Sequence, residues 1–403
     1  MTAADLSSVV QTERPQIVAH LARVLGDLEK ADEVFQATLA ATFEAWRASG
    51  VPEKPGAWLM RAAHNRALDE LRRLRRAERL APEADDAVGP IDEGELYPDD
   101  RLRLIFTCCH PVLAPEAQVA LTLRLVCGLE TPQVARAFVV SEATVQQRIV
   151  RAKRWLREAA VPYAVPEPDA LPERLASVLR VVHQVFNEGY TAASSGLQAE
   201  ALRLGELVVE LLPEQPEARG LLALMRLQAS REPARLDASG ALVLLEQQDR
   251  AKWDRSMLQT GLDALRIAES FGAPGPYQLQ AHIAACHARA AAWADTDWPR
   301  IAALYEALEA AQPSPIVSLN RSVAVAMVDG PEAGLKLLER SAAVAALAGY
   351  YLLPATRADF LRRLGRHDEA AREYRRALAL TAIPHEREFL ERRLAEVRAA
   401  GTS

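Results

Sequence analysis

The stretch TPQVARAFVVSEATVQQRIVRAKRWLR, Thr131 to Arg157, decides the fold of its part of the chain. Thr131 is placed to cap a short helix, with Pro132 in the first turn, where a missing N–H costs nothing. After a two-valine turn, Ser141 is placed to cap a second helix. That second helix carries apolar residues at spacings of three and four, which is typical of a buried stripe: Val145, Ile149, Ala152 and Leu156. The pattern predicts a helix-turn-helix.

The other side of the second helix is polar at its start and cationic further along. It carries seven candidate DNA-contacting residues: Glu142, Gln146, Gln147, Arg148, Arg151, Lys153 and Arg154. The early side chains could reach base edges and the later ones phosphates, as in a recognition helix. The alternative is a charged face that is only solvated, because short helix pairs with a basic face are common.

Composition favours a helical protein of two or three domains. The chain has 403 residues, of which half are hydrophobic and only 5% aromatic. Its net charge of −6 argues against a protein coated in basic surface, so nucleic-acid contacts must come from local patches. The first residues lack the pattern of a signal peptide, and no apolar run approaches the length of a membrane span. We therefore expect a cytoplasmic protein without membrane contact.

The four cysteines do not have the spacing of a structural zinc site. Cys108 and Cys109 are adjacent and precede His110, whereas such sites use cysteine pairs separated by two to four residues. We expect buried thiols that pack as small apolar groups, with a metal or redox role as the alternative. No metal and no cofactor is predicted.

Proline content and charge divide the chain into five segments. Residues 1–79 form a first helical domain, 80–98 an acidic linker, 99–160 a second helical domain with the helix-turn-helix at 131–157, 161–172 a hinge, and 173–403 a helical C-terminal domain. The linker carries six acidic and no basic residues, so it cannot bury much apolar surface. Its composition alone fits a plain spacer as well as a segment with a function of its own.

The first domain contains a basic helix over 57–80 that begins near Trp58. Such a helix can contact a phosphate backbone, and the indole can stack on an unpaired base. Alternatively, Trp58 is a core anchor and the arginines solvate the surface.

The C-terminal domain contains a weak repeat. Residues 361–380 have small or aromatic residues at offsets typical of a tetratricopeptide second helix: Gly365, Ala370, Tyr374 and Ala377. Residues 328–339 repeat the turn-then-helix pattern, and 200–236 is a third candidate. The pattern predicts a tetratricopeptide-like solenoid. It becomes irregular over 237–312, which degenerate repeats or an ordinary helical bundle would both explain.

The order of these segments resembles bacterial sigma-70 family RNA polymerase sigma factors, more narrowly the extracytoplasmic-function group. Residues 29–46 (EKADEVFQATLAATFEAW) and 55–76 (PGAWLMRAAHNRALDELRRLRR) resemble parts of region 2, and Asp99 to Arg157 resembles region 4. Further segments, including FNEGYTAASSG (186–196) and DTDW (295–298), resemble the subgroup with a tetratricopeptide-like C-terminal extension. Ala37 departs from the pattern, since such proteins often carry an acid there.

The resemblance implies a function and a set of binding residues. The protein would bind core RNA polymerase through the β′ clamp and β flap, and would direct promoter recognition, melting and initiation without catalysis of its own. Asp32, Glu33 and Gln36 would bind polymerase, and the seven residues of the recognition helix would bind the upstream promoter element. The downstream element would be bound and melted by seven further residues: Trp58, Arg61, Asn65, Arg66, Arg72, Arg73 and Arg76. The extension would modulate activity on a protein or small-molecule signal. The acidic linker would shield the basic faces in the free protein or pass through the polymerase channel in the holoenzyme, or it would be a plain spacer.

Two other functions compete with this one. A self-contained transcriptional regulator would bind operator DNA alone, but it would need neither the Trp58 helix nor the 29–46 segment. An enzyme in the C-terminal half would have to use His183, Asn187, Glu188, His282 or His287, among which no nucleophile–base pattern is evident.

Overall fold

The chain is helical throughout the part that the structure describes. The computed structural model describes residues 3–77, 98–138, 140–191, 195–237, 243–341 and 343–401, and no strand occurs in these ranges. The predicted all-α class is confirmed. The predicted linker 80–98 lies outside the described residues except for Pro98.

The chain divides into two compact units, Met1–Leu211 and Leu212–Ser403. The first contains nine helices within the described ranges: α1 (Ala3–Leu25), α2 (Leu28–Ser49), α3 (Pro55–Ala77), α4 (Pro98–Cys108), α5 (Pro115–Leu125), α6 (Thr131–Ala137), α7 (Glu142–Glu158), α8 (Leu171–Thr191) and α9 (Ser195–Leu211). Helices α8 and α9, which the predicted boundaries assign to the C-terminal domain, belong to this unit, and both contact α4. The boundaries themselves stay a prediction.

The helix-turn-helix is formed by α6 and α7. Helix α6 begins at Thr131 and its N-cap is Glu130, one residue earlier than expected, because the Gln133 side chain accepts a hydrogen bond from the Glu130 backbone N–H at 2.7 Å. Ser141 caps α7 as predicted and accepts from the Thr144 backbone N–H at 3.1 Å. The predicted apolar stripe is confirmed, since the buried residues of α7 are Val145, Ile149, Ala152 and Leu156. This stripe packs α7 against α5 and α6.

The first three helices pack on one another around an apolar core. Ile17 and Leu21 of α1, Phe35 of α2 and Leu59 of α3 are fully buried. Gly26 ends α1 with a φ of +65°, a left-handed conformation that glycine adopts without strain. Asp27 then caps α2 by accepting from the Glu29 backbone N–H at 2.7 Å. This turn fixes the start of α2.

The second unit consists of helices that pack mainly on their neighbours in sequence. They are α10 (Pro216–Ala229), α11 (Arg255–Glu269), α12 (Pro276–Arg289), α13 (Trp298–Ala311), α14 (Pro315–Val328), α15 (Pro331–Arg340), α16 (Ala343–Ala346), α17 (Leu352–Arg363), α18 (His367–Leu380) and α19 (Pro384–Gly401). The predicted repeat signature falls on the α17–α18 pair. Gly365 forms the turn at a φ of +73°, and Ala370, Tyr374 and Ala377 are buried. Each helix thus buries its apolar face against its neighbours, as in a solenoid.

Candidate nucleic-acid and polymerase interface

The exposed side of α7 forms a shallow groove. A cavity of about 440 Å³ is lined by Gln146, Gln147, Arg151 and Arg154, together with Ala143 and Val150. Four of the seven predicted upstream-element residues therefore share one surface. Amide groups lie toward the start of the helix and guanidinium groups toward its end, so the groove places hydrogen-bonding amides beside cations.

The remaining predicted residues of α7 are placed differently. Glu142 is exposed at the first turn of the helix. Arg148 lines a second groove of about 400 Å³ with Glu116 and Trp155. Lys153 is directed away from solvent and forms an ion pair with Asp32 of α2.

Two apolar side chains on the same helix were not singled out from the sequence. Val150 is 53% exposed and Trp155 is 52% exposed, and each lines one of the two grooves. The signal was available, because both positions lie outside the apolar stripe of α7. Exposed apolar side chains on a recognition helix can contact thymine methyl groups or the sugar backbone.

Helix α3 presents its polar residues on one long face. Trp58, Arg61, Asn65, Arg72 and Arg76 recur at spacings of three, four, seven and four, so they share a helix face, and all five are exposed. Arg66 and Arg73 lie further round the helix and are also exposed. The predicted downstream-element residues thus form a continuous surface.

Several arginines of α3 already have local partners. Arg72 donates to Asp69 at 3.3 Å, and Arg73 donates to both oxygens of Glu70 at 2.9 and 2.7 Å. Arg66 donates to the carbonyl of Ala37 at 3.1 Å. Exposed intrahelical pairs of this kind contribute only about 0.2–0.5 kcal/mol each, so phosphates could replace these carboxylates at little cost.

Trp58 is both packed and exposed. Its ring lies 5.6 Å from that of Trp46, centroid to centroid, with an interplanar angle of 56°. Trp46 is buried, whereas Trp58 keeps 38% of its surface exposed. The two readings of this residue are therefore compatible, because a ring anchored on one side can stack a base on the other.

The predicted polymerase-binding residues lie on one face of α2 but differ in their exposure to solvent. Glu33 and Gln36 are exposed. The side chain of Asp32 is only 15% exposed, because it lies between Arg14 of α1 and Lys153 of α7. Glu29, one turn earlier, forms an ion pair with Arg157 of α7.

Arg14 and Asp32 are the centre of a buried ion-pair network. Arg14 is 1% exposed and donates to Asp32 at 2.9 Å and to Glu130 at 3.5 Å. Lys153 donates to the second oxygen of Asp32 at 2.5 Å. Burial alone would raise the pKa of Asp32, but Lys153 and Arg14 outweigh it and hold that pKa below its usual value. Burial and the charge of Arg124 lower the pKa of Arg14 to about 10, so it stays charged at neutral pH.

The cysteines are buried as expected. Cys108, Cys109 and Cys127 are each almost fully inaccessible, and the Cys109 thiol contacts the Thr122 hydroxyl at 3.4 Å. Burial raises the pKa of Cys109 to about 12 and raises those of Cys108 and Cys127 as well. Thiols with raised pKa values and no access to solvent are poor nucleophiles and metal ligands.

Comparison with known proteins assigns these domains. The family model for Sigma-70 region 2 matches residues 9–77, and the model for Sigma-70, region 4 matches residues 103–156. The chain belongs to the sigma-70 family. Region 2 covers most of α1 together with α2 and α3, and region 4 covers most of α4 through α7. As a sigma factor, the protein binds core RNA polymerase and promoter DNA, and its family is regulatory rather than catalytic.

The sigma factor has a relative of nearly the same length. Residues 174–269 match a family of unknown function, DUF6596. An uncharacterized protein of Rhizobium meliloti (strain 1021), R00370, is 43% identical over 404 residues, covering 97% of this chain and 95% of that one. The resemblance to this relative therefore extends through the C-terminal unit as well as the two sigma regions.

Among solved structures, the crystal structure of yeast Tom70 aligns with 99% of this sigma factor and 84% of its own chain. The TM-score is 0.31 and the sequence identity 12%, which is too low to bear on fold or function.

The three histidines of the enzyme alternative each have a different structural partner. The ring of His287 stacks on Trp293, with centroids 6.0 Å apart, and His282 lies 3.4 Å from Glu269. His183 lies 3.3 Å from Asn187 on α8. In the described ranges, no helix of the sigma factor combines the length and the apolar character that crossing a bilayer requires.

Proposed function

We propose that this sigma factor belongs to the extracytoplasmic-function group and acts in the cytoplasm. Its helices α3 and α7 provide two DNA-binding surfaces that contact the same promoter. The observation that carries the proposal is the pair of exposed faces, Trp58 with its arginines on α3 and the Gln146–Arg154 groove on α7. Each lies inside a matched sigma-70 region. Two linked surfaces that each bind DNA weakly bind one promoter with a higher affinity than either surface has alone.

In the proposed mechanism, α7 reads the upstream element in the major groove. Gln146 and Gln147 form hydrogen bonds with base edges, and Arg151 and Arg154 hold phosphates. Val150 lies between these groups and packs against a thymine methyl.

The α3 face opens the downstream element. Its arginines and Asn65 hold the backbone, and the exposed side of Trp58 stacks on a base that has left the duplex. Unstacking and unpairing a base costs on the order of a few kcal/mol, and base–aromatic stacking returns about 1–3 kcal/mol. No covalent chemistry by this chain is involved.

Polymerase binding is proposed for the α2 face, with the β′ clamp as its partner and the β flap as the partner of region 4. Glu33 and Gln36 are exposed for it, and Asp32 becomes exposed when Lys153 leaves. The C-terminal unit is proposed to modulate activity on a protein or small-molecule signal. Helices α8 and α9 pack on α4, so the start of that extension contacts region 4 directly.

The test is transcription in vitro with core polymerase, comparing the full chain with truncations after Leu211 and after Pro166. The first truncation ends where the first compact unit ends. The second removes α8 and α9, including the hydrogen bond from Arg174 to the Phe106 carbonyl at 2.7 Å. We expect promoter-directed initiation from the full chain, and altered but measurable initiation from the Leu211 truncation. A full chain that binds operator-like DNA but ignores core polymerase would favour the self-contained regulator.

A further inference from the structure

Three of the six tryptophans of the chain lie near one another in the second unit, and two of them flank the connection from α12 to α13. The ring of His287, in the last turn of α12, stacks on Trp293 and meets Trp298 edge-on, with centroids 6.0 and 5.3 Å away. The rings of Trp293 and Trp298 lie 4.9 Å apart. All three side chains are half-buried, so this aromatic cluster keeps an edge open to solvent.

Arg250 connects the aromatic cluster to the third tryptophan. Its Nη1 donates to the carbonyls of His287 and Ala290, the latter at 2.7 Å, and these carbonyls lie at the end of α12, where helical partners run out. Its guanidinium carbon lies 4.9 Å from the centre of the Trp253 ring, and Trp253 is only 3% exposed. A cation over an indole ring is stabilised by the ring electrons. These contacts fix the position of Arg250 but engage only one of its two terminal nitrogens.

Several polar atoms around Arg250 are buried and have no hydrogen-bond partner among the described residues. They are Nη2 of Arg250, the indole nitrogen of Trp253, Nδ1 of His287 and the hydroxyl of Thr296. Thr296 is 6% exposed, and its backbone joins the two rings of the connection, since it donates to the Trp293 carbonyl at 3.2 Å and accepts from the Trp298 N–H at 2.9 Å. Folded proteins pair the great majority of their buried polar groups, because an unpaired one is costly. Such a concentration of them indicates a polar partner from outside the chain.

The charge at this position is positive. Burial and the charge of Arg231 lower the pKa of Arg250, and no carboxylate in the described ranges forms an ion pair with its guanidinium. Asp295 acts on Arg250 in the opposite direction, but it is exposed and accepts from the backbone N–H of Ala292 at 3.0 Å. Burial, Arg231 and Arg250 lower the pKa of His287 to about 4, so its ring is neutral at pH 7. A bound anion would supply the missing countercharge.

We propose that Arg250, Trp253, Thr296 and the aromatic cluster bind a small organic carboxylate with a flat, apolar body. Nη2 of Arg250 holds the carboxylate by a charge-assisted hydrogen bond, and Trp253 and Thr296 supply neutral donors. The flat body lies against the open edge of Trp293 and Trp298. A monocarboxylate fits better than phosphate, because a single guanidinium edge and neutral donors are offered to it. That this ligand changes transcription rests on the proposed function, which assigns modulation by a signal to this unit, whereas the binding itself does not.

The first experiment is isothermal titration of the full-length protein with benzoate. Benzyl alcohol is the uncharged counterpart of the probe, and inorganic phosphate is the competing anion. We expect saturable binding of benzoate at one site per chain, and much weaker binding of both other compounds. The proposal is wrong if benzoate does not bind saturably, and phosphate that binds more tightly than benzoate would overturn the assignment to carboxylates.

Arg250→Gln removes the cation of the proposed site. We expect the affinity for benzoate to fall roughly tenfold to a hundredfold, as for the loss of a hydrogen bond to a charged group. Arg219→Gln is the matched control in the same unit, because Arg219 also donates to a backbone carbonyl, that of Pro213, at 3.1 and 2.9 Å. It should bind benzoate like the native protein. Equal affinities of the native protein and Arg250→Gln would overturn the proposal.

Thr296→Val keeps the shape of the side chain and removes the unpartnered hydroxyl, so it separates binding from a structural role. Replacing such a buried group by an apolar one of the same shape is neutral or stabilising. We therefore expect hydrogen exchange in α12 and α13 to be equally slow or slower than in the native protein, while the affinity for benzoate falls several-fold. Faster exchange with native affinity would show that the hydroxyl serves the fold, and would contradict its part in the site.

Transcription in vitro with core polymerase separates this inference from the proposed function. We expect saturating benzoate to change the initiation rate of the native protein and of Arg219→Gln, but not that of Arg250→Gln. Benzoate that binds without changing initiation would overturn the regulatory role and leave the sigma function intact. Absence of initiation by every variant, with and without benzoate, would instead refute the proposed function, and the titrations would still decide whether the carboxylate site exists.

Discussion

Replacing Asp32 by Asn should destabilise region 2 far more than its position on a surface helix suggests. The substitution keeps the shape of the side chain and removes its charge. Arg14 and Lys153 then remain at the interface without the carboxylate that both contact, at 2.9 and 2.5 Å. Removing one partner of a buried ion pair costs about 3–5 kcal/mol. Asp32 keeps 15% exposure, so we expect the lower end, about 3 kcal/mol.

Glu33→Gln provides the matched control one residue along the same helix. Glu33 is exposed, so the same change of charge there should alter stability by no more than about 0.5 kcal/mol. Both residues belong to the proposed polymerase-binding set, so a comparison of the two separates stability from binding.

Hydrogen exchange of the α1 and α2 amides is the appropriate assay. The chain has two compact units, so one unfolding free energy for the whole protein is not a well-defined quantity. Local opening free energies are defined, and a loss of about 3 kcal/mol corresponds to exchange faster by roughly two orders of magnitude at pH 7. Equal protection of α1 and α2 in Asp32→Asn and Glu33→Gln would refute the reasoning.

The pH dependence gives an independent check of the same network. The folded pKa of Asp32 is lowered, so its contribution is fully present above the pKa of an unfolded aspartate and is lost as pH falls through the folded value. The stability difference between the native protein and Asp32→Asn should therefore be constant near neutrality and should narrow only below about pH 4. If the stability difference between the native protein and Asp32→Asn narrows between pH 7 and 5, the effect comes from a titrating group other than Asp32.

Four further outcomes are expected. Gly220→Ala places a Cβ 2.8 Å from the backbone nitrogen of Gln278, and we expect it to destabilise the second unit by about 1–3 kcal/mol in urea titrations. The added Cβ of Gly196→Ala meets no atom within 4 Å, so this substitution should be neutral or stabilising. Gln147→Ala should relax upstream-element specificity, while Arg151→Ala should weaken binding to all sequences and reduce the salt slope by about one, as measured by fluorescence anisotropy across salt concentrations. Trp58→Ala should impair initiation on duplex promoters much more than on promoters with a pre-melted bubble. Permanganate footprinting can follow the opening of the duplex promoter. Equal defects on both templates would contradict a role of Trp58 in melting. Labelling of the four buried cysteines by a maleimide should stay slow until denaturant is added, and rapid native labelling followed by mass spectrometry would contradict their burial.

The sequence by itself determined the elements whose signals are local. The period of Val145, Ile149, Ala152 and Leu156 predicted the buried stripe of α7, and Ser141 predicted its cap. These predictions succeed because a helix face and a cap depend on residues within one or two turns. The cap of α6 was predicted one residue late, since Glu130 is polar enough to compete with Thr131 for that position.

Only the tertiary structure decided which of the predicted binding residues are accessible. Lys153 and Asp32 were assigned to DNA and to polymerase, yet they bind each other across 121 residues of sequence. Arg14 and Tyr163 carry no local pattern that marks them, and they join regions 2 and 4. Contacts of this kind depend on how two helical faces dock. The sequence periodicity of one helix does not reveal them, because it is the same whether the charged face contacts solvent, DNA or another helix.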